Sequence, residues 1–182
     1  MVDRLLGRTE INEAFRRLAE RLSRRHLIGD VCVYGGAAMI LAFDARLATR
    51  DVDAVFAPHG PVIDEARAVA RELGLPPSWL NDQVSVYVSR VADEGQTSVY
   101  DHPNLRVRRA SARHLLAMKA RAARAFTADQ EDLVVLIRDL GLTTPAEVER
   151  ICLEVFPDEP LSDRSRLAVE DAIAAARGAG GD

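Results

Sequence analysis

Every strand-like segment of this chain lies before residue 110, and from Ser111 onward the pattern is helical. Short apolar runs at 31–34 and 52–56 read as buried strands, 84–88 alternates like a strand, and weaker strand signals surround Val99 and 105–107. Helical periodicity fills the gaps. Ile11, Phe15, Leu18 and Leu22 form one stripe over 9–25, ended near Gly29, and a short helix over 37–43 follows Gly35 and Gly36. Gly60 and Pro61 open a third helix through Leu73, since proline suits the first helical position, and Gly74, Pro76 and Pro77 close it. Strands segregated from a helical tail predict an α+β fold: a small mixed sheet with flanking helices over 1–110, and a helical region over 111–182 packed on it.

Two capping boxes punctuate that helical region, Thr127 with Gln130 and Thr144 with Glu147 over Pro145. They predict helices over 128–140, stopped at Gly141, and 145–156, followed by a last helix over 164–177 and a tail frayed from about residue 178. No apolar run approaches the roughly 18 residues that span a bilayer, and acids and arginines occupy the N-terminus, so a cytoplasmic protein is expected. Cys32 and Cys152 lack metal-ligand spacing, which argues against a zinc site or a disulfide framework.

Charge is unevenly placed. The chain has a formal net charge of −4, yet 102–126 holds seven basic residues and no acid, leaving 17 basic and 28 acidic residues elsewhere. A purely basic segment suits a polyanion such as nucleic acid, and equally a solvated arginine face on a helix. Of the 24 basic residues only Lys119 is lysine.

The constellation richest in chemistry runs from Tyr34, Gly35 and Gly36 through a short helix to Thr49, Arg50, Asp51, Val52 and Asp53. Residues two apart in a strand point to one side, so Asp51 and Asp53 place two carboxylates roughly 7 Å apart on one face while Val52 enters the core. Paired hard oxygen ligands suit Mg2+ bridging to nucleotide phosphates. The glycines let backbone approach a ligand closely, and the helix they open aims N–H groups at an anion. Each feature alone is common; both together, each after an apolar strand, point to a functional site.

This strand, Gly-Gly, helix and Thr-x-Asp-x-Asp order resembles the polymerase-β-type nucleotidyltransferase superfamily, and within it the small bacterial AbiEii and MenT-like nucleotidyltransferases of toxin–antitoxin and phage-defence systems. The tract Trp79, Leu80, Asn81, Asp82 and the segment 115–119 followed by Asp129 and Asp132 extend the resemblance over roughly 28–142. It implies that Gly35, Gly36 and Thr49 contact the nucleotide, that Asp51 and Asp53 bind Mg2+, and that Lys119 holds NTP phosphates, with Asp129 or Asp132 as the late acid paired with that lysine. Two departures stand out. Gly36 replaces the serine of many members, and the third carboxylate has no clear equivalent, Asp82 and Asp101 being the candidates. Arg50 and Arg124 are secondary candidates.

Lys119 also stands out on physical grounds. On a helix over 112–126 it lies at the centre of the apolar stripe Leu115, Leu116, Ala122, Ala123 and Phe126, with Arg113, Arg121 and Arg124 opposite. A lysine so placed must reach water or meet an anion, whether Asp51/Asp53, Asp129, Asp132 or a bound phosphate. The opposite arginines suit a polyanion bound as charge. No ligand spacing links the four histidines, and Trp79 and Tyr87 read as core. The reading that results is an Mg2+-dependent transfer of NMP from NTP to a hydroxyl, with the resemblance implying a tRNA 3′ end as acceptor and an antitoxin as partner. Transfer to a small molecule or a protein hydroxyl, and an inactive binding module of the same fold, are the alternatives.

Overall fold

The computed structural model describes residues 5–43, 46–123 and 128–178. The chain is α+β, with a five-stranded mixed sheet and, among the described residues, seven α-helices. It divides into two compact units: one runs through Val86 and resumes over Gln96–Ala110, and the other comprises Tyr87–Gly95 and the chain from Ser111 onward.

The first unit contains α1 (Arg8–Arg24), β1 (Gly29–Val33), α2 (Gly35–Phe43), β2 (Val52–Ala57), α3 (His59–Leu73), β3 (Leu80–Asn81), β4 (Thr97–His102) and β5 (Leu105–Arg109). The strand order is β3-β2-β1-β5-β4. β1 runs antiparallel to β2 and parallel to β5, β2 pairs parallel with β3, and β4 antiparallel with β5 through an irregularity between Ser98 and Tyr100. Alternation decides the faces: Val52, Ala54, Phe56, Leu105 and Val107 are buried, while Val55, Arg106 and Arg108 are exposed. The stripe Ile11, Phe15, Leu18 and Leu22 of α1 is fully buried, and the Phe15 ring lies 6.0 Å from that of Trp79. Trp79 Nε1 donates to the carbonyl of Ala66 at 2.8 Å, which lets the indole be buried without losing a hydrogen bond. α1 and α3 are pinned together at Glu65, which accepts from Arg21 Nε at 2.6 Å and Arg25 Nη1 at 2.9 Å.

Several boundaries differ from the sequence expectation. α1 ends at Arg24, and His26 takes the left-handed conformation (φ 54°), so Gly29 is free to begin β1 instead of stopping the helix. A β-carbon at Gly29 would lie 2.9 Å from Leu22 Cδ1, so glycine here serves close packing. α3 starts at His59, with Pro58 at its N-cap, two residues ahead of Pro61. The expected strand over 84–88 is instead a short 3-10 helix, Gln83–Val86. Asn81 Oδ1 accepts from Gln83 N at 3.1 Å, a turn that diverts the chain from β3, and Val86 is left 79% exposed despite the apolar alternation.

The second unit contains α4 (Ala112–Ala122), α5 (Ala128–Asp139), α6 (Pro145–Val155) and α7 (Asp163–Gly178). Ser111 caps α4 by accepting from His114 N at 3.2 Å. The Thr144–Glu147 capping box is formed, and Gly141 ends α5 in the left-handed conformation (φ 64°). The expected cap at Thr127, the helical positions Arg124 and Phe126, and the tail beyond Gly178 lie outside the described residues. Among the described residues no helix is long and apolar enough to cross a membrane.

Candidate functional site

β1 delivers the chain to Tyr34, whose N–H donates to the carbonyl of Asp53 at 2.8 Å, so the start of α2 is tied directly to the Asp-x-Asp strand. Gly35 has φ 58°, a conformation that side-chain-bearing residues rarely adopt. A β-carbon there would lie 3.1 Å from Asp53 Oδ2, so the glycine brings the helix entrance against that carboxylate. At Gly36 a β-carbon would meet Thr49 Oγ1 at 2.9 Å and Arg46 Nη1 at 3.1 Å. α2 itself is a buried apolar helix, and Arg8 donates to the carbonyls of Leu41 at 3.1 Å and Ile40 at 2.5 Å, stabilising its C-terminal end.

Thr49 is fixed by a two-way backbone bridge with Leu6: Leu6 N donates to Thr49 O at 2.7 Å and Thr49 N to Leu6 O at 2.9 Å. Asp51 and Asp53 follow, both half-buried, with the intervening Val52 fully buried. Asp51 Oδ2 accepts from Asn81 Nδ2 at 3.3 Å, an interaction set up by the parallel register that places Asp53 beside Asn81. Burial pushes the Asp51 carboxyl above its usual range, and the nearby Asp53 charge pushes it further, against a smaller opposing effect of Arg50 and the Asn81 hydrogen bond. Arg50 itself is exposed.

These donors fit a divalent cation. They are hard oxygens, and their mutual repulsion is the kind a cation would relieve. Among the described residues no group of three His, Cys, Asp or Glu ligands converges, and one or two carboxylates are what Mg2+ typically takes from protein when phosphates complete its shell. Asp82 does not extend the pair as a plain carboxylate: its Oδ2 lies 2.8 Å from His59 Nε2, whose ring stacks on Phe56 at 5.2 Å. Asp101 is exposed on β4, in register with Arg106.

In the helical unit, Lys119 is only 9% exposed, and its Nζ lies 2.6 Å from Asp129 Oδ1 and 2.9 Å from Asp132 Oδ2. Asp132 is 1% exposed. Both late acids therefore lie within ion-pairing distance of Lys119. Ala122, placed in the apolar stripe by periodicity, is exposed because α4 ends there, while Leu115, Leu116 and Ala123 are buried. The basic segment is acid-free in sequence but not in space. Arg113 pairs with Glu154, Arg121 pairs with Glu159 and lies 4.1 Å over the Phe156 ring, and Arg106 and Arg108 pair with Asp30 at 3.3 and 2.8 Å. Arg124 lies outside the described residues.

Sequence reasoning missed three partners: Asn81 on Asp51, His59 on Asp82, and Arg46 over Gly36. Asn81 lay inside a tract already singled out; Arg46 precedes the motif and carried no signal. His114, given no chemistry, is buried, with Nδ1 at 3.3 Å from Asp93 Oδ1 and Nε2 at 3.3 Å from the Val91 carbonyl, linking 87–95 to α4. Trp79 is core as expected, whereas Tyr87 is 69% exposed.

Comparison of the chain with family models, curated proteins and solved structures gave no match.

Proposed function

We propose that this protein is an Mg2+-dependent nucleotidyltransferase of the polymerase-β type that moves NMP from NTP to an acceptor hydroxyl. The observation that carries this reading is the juxtaposition of Asp51 and Asp53 with the Gly35–Gly36 entrance of α2: Asp53 Oδ2 lies 3.1 Å from where a Gly35 β-carbon would be. Carboxylates for a cation and a close-approach backbone turn for phosphate are thereby supplied by adjacent elements. Asp51 and Asp53 would hold Mg2+, which when bound lowers the negative charge of the phosphates and of the attacking oxygen. Asn81 orients Asp51, and the buried Val52 and the Tyr34–Asp53 backbone bond hold Asp53 on β2 with Asp51 immediately before that strand. Catalysis of this type is mostly positioning and electrostatics, so few side chains suffice.

The sequence resemblance gives Lys119 the role of a compact cation for NTP phosphates, and within the helical unit its ammonium is held by Asp129 and Asp132. The tRNA 3′ end is the acceptor, with the chain acting as the toxin of a toxin–antitoxin or phage-defence pair and an antitoxin as partner. This part of the reading rests on the sequence resemblance.

The test uses purified protein, Mg2+, each α-labelled NTP in turn and total tRNA, beside Asp51→Asn and Asp53→Asn. Label on RNA that both variants lose is the expected result. No label with any of the four nucleotides, from folded protein that binds NTP, would sink the tRNA reading.

A further inference from the structure

Resting on the nucleotidyl-transfer reading, we propose that Arg46 is a phosphate-contacting residue of the same site, acting with the Thr49 hydroxyl over the entrance of α2. The two side chains converge on one atom. A β-carbon on Gly36 would lie 2.9 Å from Thr49 Oγ1, 3.4 Å from Thr49 Cβ and 3.1 Å from Arg46 Nη1. With glycine at this position the hydroxyl and the guanidinium lie there together; a side chain would push at least one of them aside. Gly36 thus makes room for the groups that meet the ligand.

The electrostatics point the same way. The start of a helix carries partial positive charge, so an anion lying between it and a guanidinium is attracted by both. α2 has neither an acid in its first turn nor an ionisable side chain along its length. On the other side of the glycine pair stands Asp53, with its Oδ2 3.1 Å from the Gly35 β-carbon position. Carboxylates that hold a cation on one side and a guanidinium on the other give the polarity a phosphate chain needs, with a metal against some oxygens and a forked donor against others. The backbone bridge to Leu6 fixes the position of the Thr49 backbone from which the hydroxyl projects.

The experiment measures binding of inorganic tripolyphosphate by calorimetry in EDTA, which depends on neither Mg2+ nor turnover. Wild type is compared with Arg46→Ala, Arg46→Gln, Arg46→Lys and, as a control on an exposed arginine of α3, Arg71→Ala, each checked for folding by circular dichroism. About tenfold weaker binding is expected in the alanine and glutamine variants, with partial recovery in the lysine variant and none of the loss in Arg71→Ala. With labelled NTP, the Arg46 variants should raise KM more than they lower kcat. Equal affinity in wild type and the folded Arg46 variants would overturn the assignment. So would absence of tripolyphosphate binding to wild type, whereas failure of nucleotidyl transfer itself is read separately, from the Asp51→Asn and Asp53→Asn comparison.

Discussion

Asp53 Oδ2 stands 3.1 Å from the point where Gly35 would carry a β-carbon, and Gly35 holds φ at 58°. The two residues are therefore coupled twice over, by backbone conformation and by space. Gly35→Ala is expected to cost about 1–2 kcal/mol from the left-handed backbone alone, and to displace the Asp53 carboxylate. Urea denaturation together with Mn2+ titration as an Mg2+ surrogate checks both effects. Stability and metal affinity both equal to wild type would reject the coupling.

For Asp51 the expected effect depends on pH. Its carboxyl is pushed above the ordinary 3.8 by burial and by Asp53, so the folded protein binds that proton more tightly than the unfolded chain does. Stability from this group is present below 3.8 and is lost as pH rises through the raised folded value. In EDTA, Asp51→Asn is accordingly expected to melt at a higher temperature than wild type near neutral pH, and at the same temperature in acid. Adding Mg2+ should raise the melting temperature of wild type only. A neutral-pH loss of stability in Asp51→Asn would contradict the carboxylate repulsion.

Lys119→Met removes the ammonium that lies 2.9 Å from the buried Asp132 carboxylate. Taking one partner from a buried pair costs about 3–5 kcal/mol, whereas a lysine reaching only water would change stability by about 0.5 kcal/mol or less. The double variant Lys119→Met/Asp132→Leu should recover much of that loss, because no buried charge then remains at these two positions. Lys119→Arg keeps the charge, but its broad planar fork replaces a point cation between Asp129 and Asp132, and lower activity is expected. Denaturation midpoints of the single and double variants decide the first two statements, and label transfer the third.

Glu147 provides a second pH test, remote from the candidate site. Backbone N–H of Thr143 foremost, then the Thr144 side chain and backbone, hold its carboxyl down to about 2 from the ordinary 4.5. A lowered value means the cap stabilises α6 above pH 4.5 and is lost as pH falls toward 2. Glu147→Gln should lower the melting temperature at neutral pH, and the difference from wild type should close on acidification. A difference independent of pH would show that the charge of Glu147 is not what matters.

Much of the fold was legible because local rules and tertiary packing agree. The α1 stripe, the strand carrying Val52 and Asp53, the Thr144 cap and the Gly141 stop are all written in residue type and spacing. The expected strand over 84–88 failed because alternation of valines does not bring a pairing partner, and the Asn81 turn sends the chain into a 3-10 helix instead. For the basic segment, charge counted along the chain omits acids such as Glu154, Glu159 and Asp30 that folding brings from elsewhere.

The candidate site divides the same way. Asp51 and Asp53 share a face because a strand repeats every two residues, and Gly35 and Gly36 mark a turn because few other residues can make it; both follow from sequence alone. Only the tertiary structure decided that Asp53 packs against Gly35, that Asn81 holds Asp51, that Arg46 and Thr49 meet over Gly36, and, in the helical unit, that Asp129 and Asp132 both lie beside Lys119. Hydrogen bonds and ion pairs act over about 3 Å, and the chain comes within that range of itself only after strands have paired and helices have packed.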